Sequence, residues 1–279
     1  MKEEDEALDR AVFESPQWYT KALKYWSEQA PTLDGVLGGY GNLTSCDVKE
    51  SDAFLREHWI AEGEEIAGRA LDVGAGVGRV TEELLLQSFE SVDLLEPIAH
   101  FLDAARVRLR AVCAKRASFR RAPERRRYVD FIAEPAQEFT PREMYYDCIW
   151  IQWMSGHLTD TDLVSFLTKS SRGLTRDRGR IFVKENTSKG SAVYDGDDSS
   201  VTRTRAEFER IFERAHLRIV TSRRQVDFPS YLFTVRMWIL APLASSTESP
   251  AATVQETNAS VQPAEEGEIK EEEMDARIL

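Results

Sequence analysis

The chain has 279 residues, with 36 Lys+Arg against 48 Asp+Glu and a formal net charge of -12. A 42% hydrophobic content with 13 Phe, 8 Tyr and 6 Trp supplies a sizeable core and excludes a wholly disordered or fibrous chain. The length fits one domain plus tails better than two full domains. Residues 1–10 contribute -3 and residues 245–279 contribute -7, which leaves -2 for the body between them. An acidic arm is therefore expected at 1–15, a domain at 16–243 and a disordered acidic tail at 244–279.

Trp18–Gln29 reads as an N-terminal helix, followed by a glycine-rich loop over Pro31–Asn42. From about residue 68, short apolar runs alternate with helical periods. Arg69–Gly74, Val92–Glu96, Tyr128–Ala133, Asp147–Gln152 and Arg180–Glu185 each read as a buried strand. Val80–Phe89, Ile98–Leu109, Asp160–Leu174 and Thr204–Ala215 have the three- and four-residue spacing of amphipathic helices. This alternation predicts an α/β domain, a parallel sheet with helices on both faces. Arg218–Gln225 and Leu232–Leu240 are too close together for a crossover helix, so the sheet is expected to end in an antiparallel edge hairpin.

Residues 106–127 carry ten Lys/Arg and one Glu. A solvated helix face with a surface insertion accounts for this run better than a nucleic-acid surface, because Phe119 is its only aromatic residue. The odd number of cysteines, Cys46, Cys113 and Cys148, without a CxxC pair, argues against a disulfide framework or a zinc site. No metal is expected. The N-terminus lacks an apolar signal region, and the apolar stretch 237–244 is far shorter than a spanning helix, so a soluble intracellular protein is expected.

Chemistry concentrates at Leu71–Arg79, LDVGAGVGR, where a strand turns into a helix through Gly74, Gly76 and Gly78. Glycines there let a backbone approach a ligand, and Glu96, at the end of the next strand, is placed to accept ribose hydroxyls. The spacing GxGxG followed by Arg79 leaves three readings open. They are a dinucleotide site, a purely structural turn, and a site for S-adenosylmethionine, whose zwitterionic amino-acid end would meet the loop. The terminal hairpin favours the third.

YTKALKYW (19–26), PTLDGVLGGYG (31–41), LDVGAGVGR (71–79), IWIQWMSGHLTD (149–160), VKEN (183–186) and DDSSV (197–201) together resemble the protein α-N-terminal methyltransferases that act on Xaa-Pro-Lys termini. The resemblance covers about residues 18–240 and implies a seven-stranded Rossmann-like sheet with extra N-terminal helices. It implies S-adenosylmethionine as cofactor and S-adenosylhomocysteine as product. The partners would be proteins with an exposed Xaa-Pro-Lys end, with no membrane or nucleic acid, and the location cytoplasmic and nuclear.

Carried across, the resemblance places Gly74, Gly76, Arg79 and Gln152 at the methionine end and Glu96, Pro97 and Ile98 at the ribose. Ala136 and Gln137 fall beside the adenine. It implies catalytic roles for Asp198, His157 and Asn186. Trp26, Leu37, Leu43 and Trp153 would wall the substrate pocket, with Tyr25 closing the cofactor side and Asp195 and Ser200 at an acidic lip for a substrate lysine. The chain departs from the family's usual residues at Glu96, Ala136, Gly196 and Phe233. Without the resemblance, DGDDSSV reads as a solvated loop or helix cap, and His157 as a structural histidine. A methyltransferase for a small molecule or a lysine side chain, and a binding module without turnover, remain the alternatives.

Overall fold

The computed structural model describes residues 12, 13, 15, 17–59, 66–119, 128–176 and 178–243. The chain divides into two units, Met1–Leu243 and Ala244–Leu279, the second wholly outside the described residues. The expected acidic tail lies there, and the acidic arm is described only at Val12, Phe13 and Ser15.

Five parallel strands form as the apolar runs predict: β1 (Ile66–Val73), β2 (Phe89–Leu95), β3 (Tyr128–Ile132), β4 (Cys148–Gln152) and β5 (Arg180–Thr187). The short strands β6 (Val193–Asp195) and β7 (Ser200–Thr202) make a separate antiparallel pair. The last two, β8 (Leu217–Arg224) and β9 (Thr234–Pro242), pair antiparallel, and β9 slots between β5 and β8. The main sheet therefore runs β3-β2-β1-β4-β5-β9-β8, with seven strands. Its order reverses between β1 and β4, and a crevice opens beyond the carboxyl ends of strands at such a reversal.

Helix α1 is Gln17–Glu28, α2 Leu33–Val36 and α3 Thr44–His58; a π-helical turn, Thr81–Leu85, runs into α4 (Leu86–Ser88). Helix α5 is Ala99–Phe119, α6 Asp160–Gly173 and α7 Arg205–Arg214. Side chains alternate across the sheet with the two-residue strand period. Leu71, Ile149, Ile181, Val183 and Trp238 pack with Phe166 of α6 and Phe208 of α7. Ala70, Cys148, Trp150, Phe182 and Met237 pack on the other face with Phe54 of α3 and Leu102 and Leu109 of α5. Each face buries its own helices, so the strand ends are fixed from both sides.

Three expectations change. The loop at 31–42 contains α2, capped by the Thr32 hydroxyl accepting from the Gly35 N–H. Helix α5 extends to Phe119 and absorbs half of the basic run; Arg106 pairs with Asp103, and Arg108 with Glu82 and Glu83. Residues 120–127 lie outside the described residues. The DGDDSS segment is neither a plain loop nor a helix cap but the turn of the β6–β7 hairpin, closed by the Asp195–Ser200 pair. Among the described residues, Cys46 and Cys148 are free thiols, no group of side chains has a metal-ligand arrangement, and no helix is long and apolar enough to cross a membrane.

Candidate active site

Two open-mouthed cavities meet at the sheet's reversal point. The first, counted together with its open mouth, spans about 1080 Å³ and is lined by all nine residues expected at a cofactor: Gly74, Gly76, Arg79, Glu96, Pro97, Ile98, Ala136, Gln137 and Gln152. Helix α1 roofs it with Tyr19, Ala22, Leu23 and Trp26. The second, counted in the same way, spans about 1060 Å³ and is lined by Leu43, Asn186, Asp198 and Ser200, among others. Trp26, Leu37, Trp153 and His157 border both. A group in one cavity can therefore face a group in the other across this shared wall.

The glycine loop has the geometry such a floor needs. Gly74 has φ +68°, and a Cβ there would lie 2.6 Å from that of Met154, so any side chain would collide. Gly76, at φ +53°, directs its N–H to Glu96 Oε2 at 2.9 Å, and the Ile98 N–H reaches Oε1 at 2.9 Å. Burial nevertheless pushes the Glu96 carboxyl up to about 7, because two amide bonds do not replace the lost water. Donors such as a pair of ribose hydroxyls would complete its shell. Asp72, at the end of β1, is likewise raised to about 6 by burial, although the Thr81 hydroxyl donates to it at 2.6 Å.

Arg79 is buried with its Nη1 2.6 Å from Asp47 Oδ2, and its guanidinium lies 5.5 Å from the Trp153 ring centroid. Gln152 Nε2 donates to both Asp47 oxygens at 3.0 Å. Asp47 belongs to α3, which periodicity did not reveal. The helix buries Thr44, Asp47, Ser51, Phe54 and Leu55 at helical spacing, but three of those five are polar. The only signal was that i, i+3, i+7 stripe.

The substrate-side residues are held differently. Trp153 has φ +52° and donates its N–H to the Lys184 carbonyl, which turns its ring between the cavities; its buried Nε1 has no partner. His157 Nε2 receives the Trp26 Nε1–H at 3.1 Å, and Nδ1 lies 3.0 Å from the Ser199 carbonyl. That pattern fixes a neutral ring with the proton on Nδ1, consistent with burial lowering its pKa. Both nitrogens are engaged, so the ring clamps α1 to the hairpin turn and offers no free lone pair. Asp198, expected beside it, is different. Burial raises its pKa, and its buried Oδ1 has no partner.

Two buried groups that motif reasoning missed hold this arrangement. Arg203 donates to the Ser155 and Leu158 carbonyls at 3.0 and 2.6 Å, bracketing His157, and to Asp160 at 2.8 Å. Glu185 accepts from the Ser155 hydroxyl at 2.8 Å and the Asn186 N–H at 2.9 Å. Asp195 is the one expected substrate residue outside the cavity wall. It is exposed at the hairpin rim, where its Oδ1 accepts from the Asp197 N–H at 2.9 Å. Tyr25, expected to close the cofactor side, lines neither cavity; burial and the charges of Asp198, Asp195 and Asp197 raise its phenol pKa.

A family model described as AdoMet-dependent proline di-methyltransferase matches residues 14–241. The chain belongs to this family. It is 41% identical over 237 residues to alpha N-terminal protein methyltransferase 1 of Oryza sativa subsp. indica, covering 84% of this chain and 73% of that protein. It is 38% identical over 229 residues to N-terminal Xaa-Pro-Lys N-methyltransferase 1 of Danio rerio, covering 81% and 96%. A solved S-adenosylmethionine-dependent methyltransferase of Leishmania major superposes with TM-score 0.70 at 34% identity, over 82% of this chain and 85% of that one. The family is AdoMet-dependent, and the glycine loop, Glu96, Arg79 and Gln152 of the first cavity fit that cofactor. Gly74 admits no side chain beside Met154, Glu96 retains acceptor capacity, and Arg79 supplies a cation.

Proposed function

We propose that the protein methylates the α-amine of proteins that begin Xaa-Pro-Lys, with the cofactor in the first cavity and the substrate's first residues in the second. The observation that carries this reading is the half-buried carboxyl of Asp198 in the wall of the second cavity, which shares Trp26, Leu37, Trp153 and His157 with the first. The curated relatives' names supply the substrate class.

When bound, the cofactor supplies an electrophilic methyl on a sulfonium, whose carbon–sulfur electron pair returns to sulfur as the amine nitrogen takes the methyl. The chain's residues orient that amine and manage its proton. An α-amine has a pKa of roughly 7.7–8.0, so only modest assistance is needed near neutrality. Asp198 accepts the hydrogen bond and then the proton, its basicity raised by burial. Asn186, held by Glu185, hydrogen-bonds the first substrate residue.

Leu37, Leu43 and the Trp26 and Trp153 rings form an apolar slot for a proline ring, which loses little entropy on binding. The same aromatic faces stabilise the cationic product as successive methylations remove its N–H donors. Proline first permits two additions; alanine or serine first permits three. His157 positions Trp26 and the Ser199 turn rather than taking the proton. The cytoplasmic and nuclear location belongs to the same proposal and is tested by imaging the tagged chain.

The function is tested by mass spectrometry of a Ser-Pro-Lys-Arg peptide and its N-acetylated copy after incubation with protein and S-adenosylmethionine. Stepwise single-methyl gains on the free peptide alone are expected. Methylation of the blocked peptide would instead assign the lysine side chain as acceptor.

A further inference from the structure

Lys184 takes no part in the mechanism above, yet it is among the most deeply buried charged groups in the molecule. It lies on β5 at 1% exposure, between Val183 and Glu185. Its ammonium is 2.5 Å from Asp47 Oδ1, and it donates to the Asp47 carbonyl at 3.0 Å, the Ser51 hydroxyl at 2.8 Å and Gln225 Oε1 at 2.7 Å. The other Asp47 oxygen holds Arg79 at 2.6 Å, and Gln152 donates to both. One carboxylate thus serves two cations.

A buried charge is tolerated when it is paired, and an unpaired one is costly. Asp47 alone would satisfy Arg79 completely and leave it little positive charge to offer a ligand. With Lys184 present, the hydrogen-bonded cluster carries one surplus positive charge. Two further carboxylates act on the cluster, Asp72 on Arg79 and Glu50 on Lys184, but the short bond of Asp72 is to Thr81 and Glu50 pairs with Arg223. Of the cluster's members, Arg79 and Gln152 reach the first cavity; Lys184, Asp47 and Ser51 do not. The surplus therefore faces the cavity through Arg79.

We propose that Lys184 is a positioning residue that neutralises Asp47, so that Arg79 keeps its charge for the carboxylate of the cofactor's amino-acid end while Asp47 fixes the directions of Arg79 and Gln152. This rests on the assignment of the first cavity to S-adenosylmethionine. Lys184 acts at a distance from the ligand, and its effect is confined to ligands that carry the carboxylate.

The test compares S-adenosylhomocysteine with 5′-methylthioadenosine, which lacks the amino-acid end, by calorimetric titration of the full chain. Lys184→Met should bind S-adenosylhomocysteine about tenfold or more weakly than wild type, the scale of one charge-assisted interaction. Its affinity for methylthioadenosine should stay within about twofold, the control ligand making no demand on the surplus charge.

Asp47→Asn combined with Lys184→Met removes both charges and leaves Arg79 as the lone cation, so the preference for S-adenosylhomocysteine should return most of the way to the wild-type value. Lys184→Gln replaces Lys184→Met if the latter does not fold. Equal losses for both ligands, no loss for either, or a double variant no better than the single one would each overturn the proposal. Failure of the wild-type protein to bind S-adenosylhomocysteine would remove the cofactor assignment itself, which separates that failure from this one.

Discussion

The two cavities solve the same problem, holding a polar ligand in a buried place, in opposite ways. On the cofactor side the buried charged groups Glu96, Arg79 and Asp72 already have protein partners: Glu96 has two backbone amides, Arg79 has Asp47, and Asp72 has Thr81. The left-handed turns there are glycines, at Gly74, Gly76 and Gly78. On the substrate side the buried Trp153 Nε1 has no partner, the Asp198 carboxyl stands in the wall, and beside the left-handed Gly38 two residues with side chains, Trp153 and Ser199, are also left-handed. Strain of that kind costs roughly 1–3 kcal/mol per residue and persists only where the surroundings enforce it. Arg203, Glu185 and His157 are the groups that enforce it here. The cofactor cavity is thus a property of the sheet, whereas the substrate cavity belongs to segments added to it, and selectivity resides in those additions.

The contrast breaks most sharply at Asp198. Asp198→Asn should lower turnover by roughly 10²–10⁴-fold, the usual range for a proton acceptor, while S-adenosylhomocysteine binds within about twofold of wild type. Comparable losses in turnover and cofactor binding would mean that the two cavities do not divide the work this way.

Glu96 sharpens the comparison from the cofactor side. Ribose hydroxyls donate to the ionised carboxylate, and its pKa of about 7 makes ionisation incomplete at acid pH. S-adenosylhomocysteine affinity should rise from pH 6 to 8, with pH 6 about tenfold below the plateau, and the trend should be absent in Glu96→Gln. The same shift has a stability consequence of opposite sign. The folded carboxyl sits above its ordinary 4.5, so the ligand-free protein loses stability as pH rises from about 4.5 to about 7. The loss is about 3 kcal/mol at most, and denaturant titrations of wild type and Glu96→Gln would measure it.

The smallest effect is expected at the rim. Asp195 is exposed and its field is screened, so Asp195→Lys should weaken a peptide with lysine third only a few-fold, and should spare one with glutamine third. Equal losses in KM for both peptides would show that the rim does not read that side chain.

The difference between the cavities also explains what the sequence made legible. The inner parallel strands announced themselves because their residues are buried on both faces, as in Cys148–Gln152, where all five are buried; β3, at the sheet edge, has none buried. Glu96 was legible from its place at the end of the second strand, and all nine expected cofactor residues line one cavity. The hairpin was not legible, because strands of three residues, Val193–Asp195 and Ser200–Thr202, are too short to show a period. Helix α3 was hidden because its inward face carries Asp47 and Ser51, which serve the Arg79–Lys184 cluster instead of an apolar core. Arg203 and Glu185 escaped for the same reason. A buried charge leaves no mark in a pattern of apolar residues.

The central claim is that an α-amine in the second cavity meets the Asp198 carboxylate while His157 keeps its bonds to Trp26 and Ser199. A crystal structure of the protein with S-adenosylhomocysteine and a Ser-Pro-Lys-Arg peptide tests it most directly. The account predicts the peptide's amine within hydrogen-bonding distance of Asp198 and its proline between Trp26 and Trp153. An amine bound instead to His157 Nε2, with Trp26 displaced, would contradict it.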